Sequence, residues 1–110
     1  MKNYGVYGLN NELAFSINEW SLLERGWIIA YAHIRGGSEL GYNWHSEALK
    51  EKKINSIKDL ISCADYLCAS GWTHSGLLAA KSSSAGATIL ASAMNFRPNL
   101  FKAVNLQAPF

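Results

Sequence analysis

The sequence predicts an α/β fold: a parallel sheet with flanking helices, joined by right-handed crossovers. Three observations carry that expectation. Short apolar runs alternate with segments of helical periodicity, in the order strand, helix, strand, helix, strand, helix, strand. The runs at residues 27–32 and 77–80 are almost wholly apolar, as in strands buried on both faces. The helical segments end at punctuating residues, Gly26, Gly71 and Pro98.

Each element has its own signal. Tyr4-Gly5-Val6-Tyr7-Gly8 is a strand end breaking into a glycine-punctuated loop. Residues 18–25 form a helix, because Trp20 and Leu22 or Leu23 follow Ile17 at helical spacing up to Gly26. Residues 27–32 are rich in aromatic and β-branched side chains and form a buried strand. A loop over residues 33–41 follows, containing Arg35-Gly36-Gly37. Residues 56–69 carry the clearest helical pattern. Ser56 and Asp59 make a capping box, and Ile57, Leu60, Ile61, Ala64, Leu67 and Cys68 make one apolar stripe. Residues 77–80 form a strand leading into Lys81-Ser82-Ser83-Ser84-Ala85-Gly86-Ala87. Residues 88–95 form a helix of small and apolar residues, and residues 103–106 form the last strand.

Composition excludes several classes of function. The chain is 49% hydrophobic and 16% charged, a globular balance. A net charge of +2 is too small to point to nucleic acid or to an anionic membrane. Lys50, Lys52 and Lys53 are the one basic cluster, and they read as a solvated face. No apolar run approaches the ~20 residues that span a bilayer. No apolar segment of a signal peptide follows Met1-Lys2-Asn3-Tyr4. The expectation is a soluble, cytoplasmic protein. Cys63 and Cys68 lie five apart in a helix, on different faces, and are expected as free thiols of a reducing compartment. No metal is expected, since too few ligands converge.

The chemistry centres on Ser82-Ser83-Ser84-Ala85-Gly86. It has the form of a nucleophile elbow, G-x-S-x-G, with serine in the first glycine position. In such an elbow the serine sits on a tight strand-to-helix turn, and the residues two before and two after it must be small. The turn also puts the serine at a helix N-terminus, where free N–H groups favour a developing oxyanion. Alone, a serine-rich turn before a helix is more often a cap. The apolar strand before it and the alanine-rich segment after it supply the setting that the motif requires.

The chain also resembles the catalytic domain of the prolyl oligopeptidase family of serine peptidases, in the oligopeptidase B and prolyl endopeptidase-like branch. The resemblance is carried by Tyr4-Gly5-Val6-Tyr7-Gly8, by Arg25-Gly26-Trp27-Ile28-Ile29-Ala30 and by His33-Ile34-Arg35-Gly36-Gly37-Ser38-Glu39-Leu40-Gly41. Trp44-His45, Ser84-Ala85-Gly86-Ala87 and Arg97-Pro98-Asn99-Leu100-Phe101-Lys102-Ala103-Val104 complete it. It implies a partial α/β-hydrolase fold, with residues 1–110 as the N-terminal part of the peptidase catalytic domain. It implies Ser84 as nucleophile, with the Tyr4 hydroxyl and the Ala85 N–H as the oxyanion hole. It further implies hydrolysis of short peptides through an acyl-enzyme, with no cofactor.

Two departures qualify this. Ser82 replaces glycine. Triads on this fold run Ser, Asp, His along the chain, yet residues 85–110 contain no Asp, Glu or His. The expectation is a fragment that lacks the propeller and the later Asp/His segment, and that is inactive by itself. An esterase of the same fold and a non-catalytic pseudoenzyme or binding fragment are the alternatives. The esterase is disfavoured because Tyr4–Gly8 is not an HGGG-type loop. His33, His45 and His74 are expected to be structural, His45 through packing or a hydrogen bond within its loop. Asp59 is expected as a cap, Asp65 as a solvent-facing charge, and Arg35 as a pin for its own loop through backbone carbonyls or a carboxylate such as Glu39.

Overall fold

A computed structural model describes residues 1–109. In chain order the elements are β1 (Lys2–Asn3), α1 (Ile17–Leu23), β2 (Tyr31–Ala32), α2 (Tyr42–Ser46), a 3₁₀ turn (Lys50–Lys53), α3 (Ile54–Ala69), β3 (Ala79–Ser83), α4 (Ser84–Phe96) and β4 (Ala103–Gln107). The strands form one parallel sheet in the order β2-β1-β3-β4. The chain leaves β1 toward one edge, to β2, and leaves β3 toward the other, to β4. The carboxyl ends of β1 and β3 therefore flank a topological switch point, where open α/β sheets place their ligands.

Helices α3 and α4 cover one face. Leu60 from α3 and Ile89, Leu90 and Ala93 from α4 meet Val6, Ala32, Ile34 and Ala80 in a single core. The predicted stripe is real: Leu60 and Ala64 are fully buried, and Ile57, Ile61, Leu67 and Cys68 pack beside them. Burying a leucine of this kind contributes about 1.5–3 kcal/mol. Small residues at 85, 86, 87 and 93, all buried, let α4 lie close to the sheet. On the other face, α1 is tied down by charge. Glu19 accepts hydrogen bonds from Lys2 Nζ at 2.5 Å and from the Tyr31 hydroxyl at 2.8 Å.

Both glycine stops work as predicted. The Trp27 N–H donates to Leu22 O, and the Trp72 N–H to Leu67 O, each closing a helix across a glycine.

Four expectations need correction. Only Tyr31–Ala32 of the 27–32 run pairs as a strand, and Trp27 and Ile28 are about half exposed. Its ladder to β1 consists of Lys2↔Tyr31 and Asn3↔Ala32. The strand expected at 77–80 occupies 79–83 instead, because pairing with β4 starts at Ala79↔Ala103; Leu77 lies exposed in the turn before it. The last helix starts at Ser84 rather than at residue 88. The capping box does not form: α3 begins at Ile54, continuous with the 3₁₀ turn, and makes no side-chain cap bond. Ser56 is instead wholly buried and donates to Arg35 O at 2.7 Å. Among the described residues no helix is long and apolar enough to cross a membrane.

Candidate active site

The chain turns abruptly from β3 into α4. Ser83 is still extended, with φ −134° and ψ 158°, while Ser84, the first helical residue, has φ +49°. A non-glycine residue in the left-handed region costs on the order of 1–3 kcal/mol and persists only where its surroundings over-determine it. Here they do. Ala85, Gly86 and Ala87, the next residues of α4, are buried, while Ser84 is partly exposed at its head. The Ala85 N–H is among the first N–H groups of the helix, which have no intrahelical acceptor. It therefore sits beside Ser84 with the positive end of the helix dipole behind it.

Tyr4 follows β1 directly, and β1 is the strand next to β3. The two carboxyl ends come into backbone contact at Gly86. A Cβ there would stand 2.9 Å from Tyr4 O, 3.0 Å from Tyr4 Cα and 2.7 Å from Ser82 Oγ. This close approach explains the glycine. Ser82, the departure from the elbow pattern, is accommodated rather than strained: its hydroxyl is buried and donates to Asn3 O at 2.8 Å. Asn3 Nδ2 donates in turn to Gly86 O at 3.3 Å. A polar cleft lined by Tyr4, Asn10, Asn11, Ser83 and Gln107 opens beside the turn.

The Arg35-Gly36-Gly37 loop supports the segment after Tyr4. The Gly8 N–H donates to Gly36 O at 2.9 Å, and His45 Nδ1 lies 2.9 Å from the same oxygen. A Cβ on Gly36 would overlap the Gly5 carbonyl. Arg35 does pin its own loop, but its partner is Asp59 on α3, not Glu39. Nε and Nη2 reach the two carboxylate oxygens at 2.8 and 2.6 Å, and the Arg35 N–H adds a third bond at 3.0 Å. That pairing replaces the predicted cap role of Asp59, since a bidentate charge-assisted pair outweighs a local backbone cap. The hydrogen bonds to Asp59 raise the Arg35 pKa further. Glu39 accepts from the Asn11 N–H at 2.9 Å. The carboxylate of Asp65 faces solvent as expected and pairs with Arg97.

The remaining titratable groups stand apart. His33 Nε2 lies 2.9 Å from Asn11 O, and His74 is exposed near Gly76. Among the described residues no histidine or carboxylate is hydrogen-bonded to the Ser84 hydroxyl. Cys63 and Cys68 are free thiols, and burial followed by the nearby Asp59 charge raises the pKa of Cys63, which makes it a poor nucleophile. Among the described residues no group of three His, Cys, Asp or Glu is arranged to hold a metal.

The sequence brings Ser84, Ala85 and Tyr4 to attention, and the fold gathers all three at one switch point. It does not single out Asn3 or the Arg35–Asp59 pair. The one available signal for Asn3 is a carboxamide immediately before Tyr4, at a strand position that must be buried and therefore bonded.

Comparison with known proteins agrees with this geometry. The chain is 43% identical over 107 residues to prolyl endopeptidase-like of Xenopus laevis, covering 97% of this chain and 15% of that protein. It is 38% identical over 107 residues to dipeptidyl aminopeptidase BI of Pseudoxanthomonas mexicana, again covering 97% and 15%. Oligopeptidase B from Trypanosoma brucei superposes with a TM-score of 0.94 at 36% identity, over 99% of this chain and 16% of that one. Oligopeptidase B from Leishmania major gives 0.91 at 40% identity, over 96% and 15%. The chain thus spans about 15% of the length of the curated relatives it matches. The model of the prolyl oligopeptidase family matches residues 13–110. With its parallel sheet, its strand-to-helix serine turn and this match, the chain belongs to the prolyl oligopeptidase family.

Proposed function

We propose that this chain is the nucleophile-bearing part of a serine-type peptidase catalytic domain. It acts on short peptides in the cytoplasm, as a segment of a longer chain that contributes a propeller and the Asp and His of the triad. The observation that carries the reading is Ser84 at φ +49° between β3 and α4. Family relatives that are peptidases support the reaction class.

Ser84 Oγ attacks the scissile carbonyl carbon, and its proton passes to the histidine of the longer chain. The carbonyl oxygen becomes an oxyanion, held by the Ala85 N–H and the Tyr4 hydroxyl. Collapse of the tetrahedral species expels the amine, which takes the proton, and leaves an acyl ester on Ser84. Water then adds to the ester, its proton returning through the same base, and releases the acid. The segment by itself has no base on Ser84 and turns over at background rate.

The test is hydrolysis of short peptides by the full-length protein and its Ser84→Ala variant. Loss of about 10⁶-fold in kcat is expected, the scale of removing a serine nucleophile. Retained activity in Ser84→Ala would refute the reading.

A further inference from the structure

Serine at position 82, where the elbow pattern has glycine, is tied to the strand that carries Tyr4. The residue is only 3% exposed, and its hydroxyl donates to Asn3 O. Asn3, 6% exposed, answers with a bond from Nδ2 to Gly86 O. The two bonds straddle Ser84, one ending two residues before it and one two residues after. Both converge on the residue preceding Tyr4. Between them, Gly86 lets the Tyr4 backbone approach the helix to van der Waals contact.

We infer that Ser82 and Asn3 are positioning residues that lock the Ser84 turn to the Tyr4-bearing strand end and so fix the nucleophile relative to the tyrosine hydroxyl. The inference rests on the roles proposed above for Ser84 and Tyr4. Its physical basis is that a left-handed serine holds its place only when neighbouring bonds force it. The Ser82 hydroxyl and the Asn3 carboxamide are buried and bonded to each other's segments, so removing either leaves a buried polar group without its partner. A glycine at position 82 would take away the donor to Asn3 O. In this chain the serine is therefore a built feature, not merely a tolerated one.

The experiment is saturable labelling of the full-length protein by a fluorophosphonate, resolved into the maximal rate and the half-saturating concentration. Ser82→Ala and Asn3→Leu are each expected to lower the maximal rate about tenfold, a scale consistent with a small misplacement of reacting groups. The half-saturating concentration should stay within about twofold. In a Tyr4→Phe background each substitution should lower the rate by less than in the parent, because part of its effect runs through the Tyr4 hydroxyl. Ser82→Cys keeps the side chain's shape and a weaker donor, so its rate should fall between those of serine and alanine.

An unchanged rate in Ser82→Ala and Asn3→Leu, equal losses with and without the Tyr4 hydroxyl, or a cysteine variant no better than alanine would each overturn the clamp. An unchanged rate in Tyr4→Phe alone would overturn the Tyr4 role beneath it. The two failures are distinct, because a failed clamp leaves the Tyr4→Phe loss in place.

Discussion

The two ends of the sheet are built differently. At the carboxyl end, β1 is stitched to β3 and to the start of α4 by side chain-to-backbone bonds, and a glycine is needed to let the backbones touch. At the amino end, Met1, Trp27, Ile28, Trp72 and Leu77 line an open apolar groove, and the two tryptophans are 49% and 60% exposed. A polar network satisfied bond by bond specifies one geometry, whereas apolar contacts are tolerant of shape. Specificity is therefore concentrated where a reaction would need it. The groove is a surface that a short parallel sheet leaves uncovered.

The largest effect that can break this contrast is at Gly86. Glycine to alanine in a helix interior ordinarily stabilises by up to about 1 kcal/mol. Here the added carbon would meet Tyr4 backbone and Ser82 Oγ. Gly86→Ala is expected to destabilise by about 1–3 kcal/mol, the usual cost of overpacking. Hydrogen exchange of the α4 amides would show the loss of protection, and unchanged protection would mean the ends of β1 and β3 are less tightly joined than described.

Next is the Arg35–Asp59 pair, which anchors the loop behind the Tyr4 segment. Both side chains are partly solvated, so Asp59→Asn is expected to cost about 1–2 kcal/mol, toward the lower end for bonds to charged groups. Exchange should quicken first at the Gly8 and Gly36 amides. Fast exchange confined to α3 would instead mark the pair as a helix device alone.

The smallest effect belongs to the opposite end. Trp27→Ser with Trp72→Ser should change protection of α4 by no more than about 0.5 kcal/mol, as for surface positions. The same double substitution should reduce self-association of the 110-residue chain, which its exposed apolar groove favours. Sedimentation measures this directly, and a monomeric chain before substitution would contradict it.

The sequence carried the fold class and the elbow because both rest on local signals. The α3 stripe, the glycine stops and the small residues around Ser84 are each visible within a few positions. What lay beyond it was long-range pairing. Which residues of the 27–32 run pair depends on their register with β1, and which acid holds Arg35 depends on α3 crossing behind the loop. Asn3 and Ser82 are 79 positions apart, and only the sheet order makes them neighbours. The capping box failed for the same reason: Ser56 and Asp59 match the local pattern, but each has a tertiary partner in Arg35.

Three consecutive serines, Ser82, Ser83 and Ser84, stand at this turn. The direct measurement is peptide mapping of the full-length protein after fluorophosphonate treatment. The predicted result is one adduct, on Ser84, with Ser82 and Ser83 unmodified. An adduct on Ser83, or none on this peptide while the protein is hydrolytically active, would contradict it.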